Sequence, residues 1–588
     1  MDEERKPIDF KVVAAFAVLI ALVLLLPAYW EWIGYKPAPK RPAPTPADTT
    51  QVPSTPTATP GSSPAPTATA AIAAPTDTLA GIFIRDSLWS EKTVTVSTPR
   101  FEALFSTRGA RLVRLVLKDH HYNDPARKGQ PIVLLDTLDA AVGAGPRFQF
   151  DRPGLDFADA PCRTDQTAIT LAKGDSATVR FTAATKSGSE WTIAYTFHGD
   201  RHDFDTRLLI PTPWQDGIER ELHYGWQGGL WPTEPDPAGD NGEFAALALM
   251  GKDLEKISKV DREQPVANLS GLTHWAAVRT KYFVCATIPR TPGEGFRAEG
   301  HERPLAFEDK TIPLKRFSAA VRVPLRTGEP IDLSFTVYTG PIDYDVLKRY
   351  GVGLEEMVNL GWRWLVRPFA LVILWMFQKL YALIPNYGIV IIVFSLLIKA
   401  AFHPLTKKQV RSMRRMQALQ PKMEKLRERF KSDPQRLNQE TMKLYREAGI
   451  NPLAGCLPLL PQMPIFYALF QVFRTTIELR GAHFAFWLTD LSQKDPYYIL
   501  PIIMTASMFL QQKLSTKDPK QKMLTYFMPL LFGFMFHNFP AGLNLYWTMY
   551  NIFSVIEQVW LIGHPDEETT VTNGEVGSGK ILKTNAKG

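Results

Sequence analysis

The sequence predicts an α + β multidomain membrane protein, with an N-terminal anchor helix, an all-β sandwich domain and a polytopic α-helical membrane domain of five further helices. Three observations predict this class. Apolar residues concentrate near the N-terminus and again after residue 360. Residues 81–340 consist instead of short alternating runs separated by Gly, Pro and Asp. The length of 588 residues also exceeds that of one ordinary domain.

Residues 1–35 are predicted to form a signal-anchor transmembrane helix. The run from Val12 to Leu26 is continuously apolar, and Tyr29, Trp30 and Trp32 provide an aromatic end of the kind found at membrane interfaces. Basic residues precede the run, which favours a cytoplasmic N-terminus. No small-x-small cleavage site follows it, so we expect the helix to remain uncleaved.

Two segments are predicted to be disordered. Residues 36–80 hold eleven prolines among Ala, Thr and Ser and show no apolar period, which is typical of an extended linker. The tail 563–588 is a polar mixture without a strong basic run. The sequence therefore predicts no specific recognition of a nucleic-acid sequence.

Residues 81–340 are predicted to form a β-sandwich, and their position after an anchor helix places them outside the cytoplasm. Alternating runs that support strands are Thr93–Ser97, Ala177–Thr182, Glu190–Phe197, Lys281–Ile288 and Ile331–Tyr338. The region shows no metal-ligand spacing and no nucleophile motif, so a sugar-binding or sugar-cleaving role has no local support. Cys162 and Cys285 could form a disulfide or remain buried thiols.

Residues 341–384 are predicted to form an amphipathic helix at the membrane surface. Aromatic residues such as Trp362, Trp364 and Trp375 alternate there with arginines and lysines. A spanning helix from Pro368 to Leu383 is the alternative, but it would be short and would carry Lys379.

The core of the membrane domain is predicted at residues 385–562, and its first helix contains a lysine. Ser395, Lys399 and His403 are four residues apart and share one helix face. Lys399 lies about 9 Å inside the end of the apolar run. An ammonium group at that depth must be hydrated or paired. Either Lys399 reaches the nearer interface with its long side chain, or it lines a wet groove that attracts anionic substrate groups.

Residues 406–450 are predicted to form a helical hairpin in the cytoplasm. Thirteen Lys or Arg against five acidic residues make residues 406–452 the most basic part of the chain. Asp433 and Pro434 predict the start of the second helix. The charge either sets the membrane topology or forms a docking surface, for which the candidate residues are Arg411, Arg414, Arg415, Lys422, Lys425 and Arg427.

Four further membrane spans are predicted, at Leu453–Phe473, Tyr497–Gln511, Met523–Phe536 and Ala541–Ile562. The last span carries a polar stripe of Asn544, Thr548 and Asn551. Lysine-rich loops fall on alternate sides of the membrane, which predicts six spans with both termini in the cytoplasm.

Four motifs in this half of the chain resemble those of the YidC family of bacterial membrane protein insertases. They are HPLTKKQVRSMRRMQALQPKM at 403–423, NPLAGCLPLLPQMPIF at 451–466, FWLTDLSQKDPYYILPIIM at 486–504 and FPAGLNLYW at 539–547. The anchor, linker and sandwich resemble the Gram-negative form of the family, which has a large periplasmic domain. The resemblance implies a groove that is open to cytoplasm and lipid and that contains one basic residue. Most members have Arg where this chain has Lys399, and Lys lacks the bidentate fork of Arg.

The resemblance implies an insertase of the inner membrane that inserts and helps fold nascent membrane proteins, alone or with the Sec translocon, without covalent chemistry, cofactor or metal. The ribosome and the phospholipid bilayer are the further expected partners, and the hairpin is implied in recruitment. The candidate groove residues are Lys399, Ser395, Gln462, Gln511, Asn544, Trp547, Thr548 and Asn551. The rival hypotheses are a secondary transporter with Lys399 as its substrate charge and an envelope scaffold in which the sandwich does the work.

Overall fold

The structure is a computed structural model. It describes residues 83–84, 88–137, 143–150, 157–186, 188–211, 221–307, 310–326, 328–449, 459–515 and 522–563. The predicted anchor helix, the predicted linker, Cys456 and the predicted tail beyond Gly563 lie outside this part of the chain. Contacts divide the chain into two compact units, which meet in sequence between Pro341 and Ile342, except that Val352–Leu354 group with the first.

The first unit is built from two β-sheets. The five-stranded sheet has the order β4-β3-β2-β1-β6, and its strands are β1 Thr93–Ser97, β2 Phe101–Ser106, β3 Arg111–His121, β4 Pro131–Leu135 and β6 Ala168–Thr170. The twelve-stranded sheet has the order β5-β10-β16-β15-β13-β14-β17-β9-β8-β7, with β11 pairing β13 and β12 pairing β11. Within this unit β1 and β6 pair in parallel, whereas the other described strand pairs are antiparallel.

The strands of the larger sheet include one long hairpin formed by β15 and β16. Their bounds are β5 Gly145–Phe150, β7 Ser176–Ala184, β8 Glu190–His198, β9 Asp203–Ile210, β10 Glu221–Gln227, β11 Ala245–Met250, β12 Asp253–Ile257, β13 Val266–Arg279, β14 Phe283–Pro289, β15 Gly293–Phe307, β16 Lys310–Pro324 and β17 Ile331–Pro341. A short helix, α1 Pro237–Asn241, lies between β10 and β11.

Aromatic side chains join the two sheets. Phe105 of β2 lies against Tyr195, Phe197 and Phe204 of the larger sheet, with ring centroids 4.7, 5.7 and 6.4 Å apart. Along β8, buried and less buried residues alternate, as the period of two requires for a strand with one face on a core. The predicted all-β fold of this region is therefore confirmed.

The second unit is helical. Its helices are α2 Tyr344–Lys348, α3 Arg367–Leu383, α4 Tyr387–Ala418, α5 Gln420–Arg429, α6 Pro434–Glu447, α7 Leu459–Thr475, α8 Ile499–Ser515, α9 Lys522–Phe536 and α10 Ala541–Gly563. Among the described residues, one segment, Tyr387–Ser412, is long and apolar enough to cross a membrane, and Ile499–Leu514 and Tyr526–Phe536 are shorter apolar helices. The mixed fold class predicted from the sequence is thus confirmed.

Helix α4 continues beyond the predicted end of its apolar run. It has 32 residues and passes through Pro404, which lacks the backbone N–H that would continue the hydrogen-bond ladder. Two residues later Thr406 donates its hydroxyl to the carbonyl of Phe402, 3.1 Å away. The membrane segment and the first part of the basic hairpin therefore belong to one helix.

Helix α3 has two unlike faces, and it covers residues 367–383 of the segment 341–384. Ala370, Ile373, Leu374 and Phe377 are buried on the side that packs against α4 and α7. Trp375 on the other side is 58% exposed. This arrangement has the amphipathic character expected of a helix that lies against lipid.

The basic hairpin contains α5 and α6. Asp433 accepts a hydrogen bond from the backbone N–H of Arg436 at 3.0 Å, and Pro434 follows it, so the predicted start of α6 is confirmed. The guanidinium groups of Arg429 and Arg436 both lie 5.6 Å from the centre of the Phe430 ring. These contacts fix the turn between the two helices.

Candidate functional site

The side chain of Lys399 is buried and paired. It is 8% exposed, and its Nζ lies 2.6 Å from Oε2 of Glu557 on α10. The same Nζ donates a hydrogen bond to Oγ of Ser554 at 2.9 Å and lies 5.1 Å from the centre of the Tyr550 ring. Because α4 uses its backbone groups for its own hydrogen bonds, this buried cation is compensated by side chains from another helix.

The carboxylate of Glu557 bridges two basic residues of α4. Its other oxygen, Oε1, lies 2.6 Å from Nδ1 of His403, which is one helical turn after Lys399. The side chain of Glu557 is 10% exposed, whereas that of His403 is 42% exposed. The cluster of Lys399, His403, Ser554 and Glu557, called here the groove cluster, thus runs from a buried end at Lys399 to a more open end at His403.

Ser395 lies on the predicted face but does not join the groove cluster. It is fully buried, and its hydroxyl donates to the carbonyl of Ile391 in the same helix at 2.7 Å. This local bond uses the only hydrogen that the hydroxyl can donate. Of the predicted stripe on α4, Lys399 and His403 therefore contact the Glu557 carboxylate, whereas Ser395 does not.

The predicted polar stripe on α10 is buried in the structure. Asn544, Thr548 and Asn551 are each at most 5% exposed. Thr548 donates to the carbonyl of Asn544 at 2.7 Å, and the Asn544 amide donates to the carbonyl of Phe536 at 3.1 Å. These bonds fix the start of α10 on the preceding turn. Oδ1 of Asn544 has no hydrogen-bond partner among the described residues.

Trp547 lies among aromatic residues near this stripe. Its ring is 5.7 Å from that of Phe466 and 5.9 Å from that of Tyr550. The indole N–H is buried without a hydrogen-bond partner in the described part of the chain. Gln462 of α7 hydrogen-bonds to Tyr550, which links it to the surroundings of Lys399, and Gln511 is half-buried on α8.

Ser554 and Glu557 are the residues of the groove cluster that the sequence did not reveal. They belong to a different predicted span from Lys399 and His403. Tyr550, Ser554 and Glu557 are spaced i, i+4 and i+7, which places them on one face of α10. That spacing is the available signal, but it does not tell which helix the face meets.

The chain matches known proteins along most of its length. Residues 93–372 match the family model described as the YidC periplasmic domain, and residues 379–568 match the one described as the 60Kd inner membrane protein. A protein of Chlorobaculum tepidum named membrane protein insertase YidC is 35% identical over 520 residues, which are 85% of this chain and 86% of that protein. The chain belongs to the YidC family of membrane protein insertases.

A YidC insertase of Syntrophus aciditrophicus is similar to a comparable degree, with 34% identity over 482 residues that cover 81% of this chain and 86% of that protein. A solved structure, described as an active YidC insertase with the first transmembrane domain resolved, is 19% identical. It covers 81% of this chain and 93% of that one, with a TM-score of 0.35. As a member of the YidC family this protein is an inner-membrane insertase rather than an enzyme, and its substrates are nascent membrane proteins.

The basic residues of the YidC hairpin differ in their exposure. Arg415, Lys422 and Lys425 are exposed, and Arg411 and Arg427 are half-buried. The side chain of Arg414 lies outside the described part of the chain. Of the predicted docking residues, three therefore have exposed side chains.

The periplasmic domain holds its own cluster of titratable groups. Asp119 lies 2.8 Å from Nδ1 of His120, 2.9 Å from Nε2 of His202 and 3.0 Å from Nη1 of Arg100. Burial alone would raise the pKa of Asp119, but the hydrogen bonds of the two histidines hold it well below its usual range. Sequence spacing offers no hint of this cluster, because its members come from β3, from the turn before β2 and from the turn before β9.

The thiols of the periplasmic domain are unpaired. Cys162 and Cys285 are both buried and free, so the structure has the buried-thiol alternative rather than the disulfide. Burial raises the pKa of Cys162 to about 12, which keeps this thiol protonated and unreactive near neutral pH.

Proposed function

We propose that this insertase receives the polar tail of a nascent membrane protein in a hydrated groove that opens to the cytoplasm and to lipid. The groove lies beside α4 and α10, where Lys399 attracts acidic residues of the tail. The polar residues Ser395, Gln462, Gln511, Asn544, Thr548 and Asn551 lower the barrier for a charged tail, which is several kcal/mol in hydrocarbon. The apolar segment of the substrate then moves into lipid, driven by burial of about 20 residues.

The observation that carries this proposal is the buried cation itself. An ammonium group in a membrane segment is costly and typically marks a functional site. Lys399 is compensated by Glu557 and Ser554 rather than by reaching the interface, since its side chain is 8% exposed. This favours the groove over the alternative of a snorkelling lysine.

Two buried polar atoms without partners give further support. The indole N–H of Trp547 and Oδ1 of Asn544 are buried and unsatisfied within the described residues. Buried polar atoms are normally hydrogen-bonded, so this donor and this acceptor suit water or a passing peptide backbone. Trp547 would thereby contact the substrate through both its ring and its N–H.

The role of Lys399 is tested with a neutral pair. Replacing Lys399 alone would leave Glu557 buried and uncompensated, so we choose the double variant K399Q/E557Q. In proteoliposomes, this variant is expected to lose the preference for a one-span substrate whose tail carries two Asp over one that carries two Asn. K399R is expected to retain the preference because it keeps the charge. An unchanged preference in K399Q/E557Q would reject Lys399 as the attracting charge.

The hairpin is proposed to recruit the translation machinery from the cytoplasm, with both chain termini on that side. Its exposed charges suit the ribosome, whose RNA is anionic, or the Sec translocon. Replacing three of them by Gln is expected to weaken co-sedimentation with ribosomes in a salt-dependent manner: Arg415, Lys422 and Lys425. The control replaces three exposed periplasmic lysines by Gln: Lys173, Lys252 and Lys259. Equal binding by both variants would contradict the proposal.

A further inference from the structure

Glu557 occupies the position that a substrate carboxylate would need. Its carboxylate lies between the two bases of α4, with Oε2 2.6 Å from Nζ of Lys399 as an ion pair and Oε1 2.6 Å from Nδ1 of His403. We propose that Glu557 is an internal competitor for the groove cation, which holds Lys399 at rest and is displaced by an acidic residue of the substrate. This inference rests on the proposed function, because it takes Lys399 as the charge that the substrate meets.

The geometry allows Glu557 to leave Lys399 without losing all its contacts. His403 binds the other oxygen, and its side chain is 42% exposed against 8% for Lys399. A rotation of the Glu557 side chain can therefore carry its carboxylate towards the open end of the groove cluster while His403 stays in contact with it. The Ser554 side chain does not move with that of Glu557. Its hydroxyl is held by the hydrogen bond that it donates to the carbonyl of Tyr550 at 2.7 Å.

The exchange keeps the buried charge balanced. Opening the pair without a replacement would leave an uncompensated ammonium in a site of low dielectric, which is unfavourable. When a substrate carboxylate enters, one anion replaces another beside Lys399, and the displaced anion moves to a more solvated place. A neutral polar group cannot compensate Lys399 in this way, so it does not displace Glu557.

The arrangement makes Glu557 a specificity-determining residue. An acidic tail must displace the Glu557 carboxylate before it can bind Lys399. A substrate with such a tail therefore enters more slowly than it would if no anion stood beside Lys399. Substrates with neutral tails do not take part in the exchange at Lys399. Removing the carboxylate should consequently affect the two classes of substrate differently.

The experiment uses the full-length protein in proteoliposomes and two one-span substrates that differ only in their tails, with two Asp or two Asn. The variant E557Q is expected to insert the Asp substrate about three- to ten-fold faster than wild type, because Lys399 is no longer occupied by a fixed anion. Insertion of the Asn substrate is expected to stay the same. The control E263Q makes the same change at an exposed glutamate of the periplasmic domain and is expected to alter neither rate.

A second variant keeps the charge but shortens the side chain. In E557D the carboxylate cannot reach Lys399 and His403 together, so the Asp substrate is expected to insert at an intermediate rate. If E557Q slows both substrates equally, Glu557 is a structural partner of Lys399 and the inference is overturned. Thermal unfolding of each variant in detergent shows whether such a slowing comes from a destabilised fold.

A photo-crosslinker next to the Asp residues of the tail separates this inference from the proposed function. A crosslink to α4 near Lys399 in wild type that does not become stronger in E557Q would reject the competitor and leave the groove intact. Absence of that crosslink in both proteins would reject the groove itself. The expected result is a weak crosslink in wild type and a stronger one in E557Q.

Discussion

Two buried charges, one in the periplasmic domain and one in the helical unit, are compensated by different means. In the periplasmic domain, buried Asp240 accepts hydrogen bonds from the backbone N–H groups of Thr233 and Lys281, at 2.8 and 2.9 Å. In the helical unit, Lys399 is compensated by the side chains of Ser554 and Glu557. Loops and strand ends have free backbone groups to offer, whereas helices use theirs internally, so a charge between helices needs a side chain as its partner.

The two units also differ in how many large apolar residues they expose. The large apolar residues that are exposed in the periplasmic domain are few within its described part: Ile84, Leu88, Leu254 and Leu272. The helical unit exposes many, among them Trp364, Ile502, Leu530, Phe534 and Trp560. A surface of this kind is suited to lipid rather than to water. The periplasmic domain is therefore suited to an aqueous compartment, and the helical unit, with its polar groups inside, is suited to a bilayer.

The two units should differ most in how far insertion activity depends on them. Deleting residues 81–340 should leave most insertion activity in proteoliposomes, because the groove cluster lies entirely in the helical unit. Deleting residues 541–563 removes α10 and should abolish insertion activity. Loss of insertion after the first deletion, with the helical unit still folded in detergent, would show that the periplasmic domain takes part in the reaction.

A substitution between the two sheets tests the core of the periplasmic domain. Phe105→Ala removes a fully buried ring that contacts Tyr195 and Phe204, and it should lower the free energy of unfolding of this domain by about 4 kcal/mol. Leu254→Ala, at a residue that is 37% exposed, is the control and should have little effect. Chemical denaturation followed by tryptophan fluorescence measures both. A similar loss in the two variants would contradict the assigned core.

The matching substitution in the helical unit is Lys399→Ala. It leaves the Glu557 carboxylate with His403 alone and should lower the free energy of unfolding by about 3 kcal/mol. Adding Glu557→Gln should restore much of the loss because no buried charge remains unpaired. Lys379→Ala, at an exposed lysine of α3, is the control. Thermal unfolding in detergent measures the series, and a double variant less stable than K399A would disprove the pairing.

Stability should also depend on pH through one buried carboxyl group. Glu478, in the short turn between α7 and α8, contacts the amide of Gln378 at 3.4 Å, and burial together with nearby Asp343 and Asp345 raises its pKa to about 7. The folded protein therefore binds this proton more tightly than the unfolded chain does. Its stability should fall by up to about 3 kcal/mol as the pH rises from below 4.5 to above 7, and then stay level.

Unfolding measured in detergent across this pH range tests that expectation. Glu478→Gln should remove the decrease, because an amide does not titrate. The same slope in wild type and variant would assign it to other groups.

The sequence predicted those features that depend on local pattern. Strand β1, Thr93–Ser97, is found at its predicted bounds because alternating Val and Thr fit a half-buried strand. The start of α6 at Pro434 is local as well, because Asp433 caps it. The helical spacing of Asn544, Thr548 and Asn551 likewise places them on one face of α10.

Features that depend on the meeting of distant segments were not predictable. The partner of Lys399 lies more than 150 residues away in sequence, and only the packing of α10 against α4 brings it near. Ser395 shares the face of Lys399, yet its hydroxyl turns to the backbone of its own helix, which a periodicity cannot show. The extent of α4 was also missed, since Pro404 usually ends or bends a helix rather than lying within it.

The continuity of α4 has a mechanical consequence. A helix of 32 residues is about 48 Å long, and it carries Lys399 near its middle and basic residues of the hairpin near its end. While this helix stays straight, a displacement of the hairpin is transmitted to the ammonium group and shifts it relative to α10. Bending at Pro404, which stands between the two, absorbs that displacement instead.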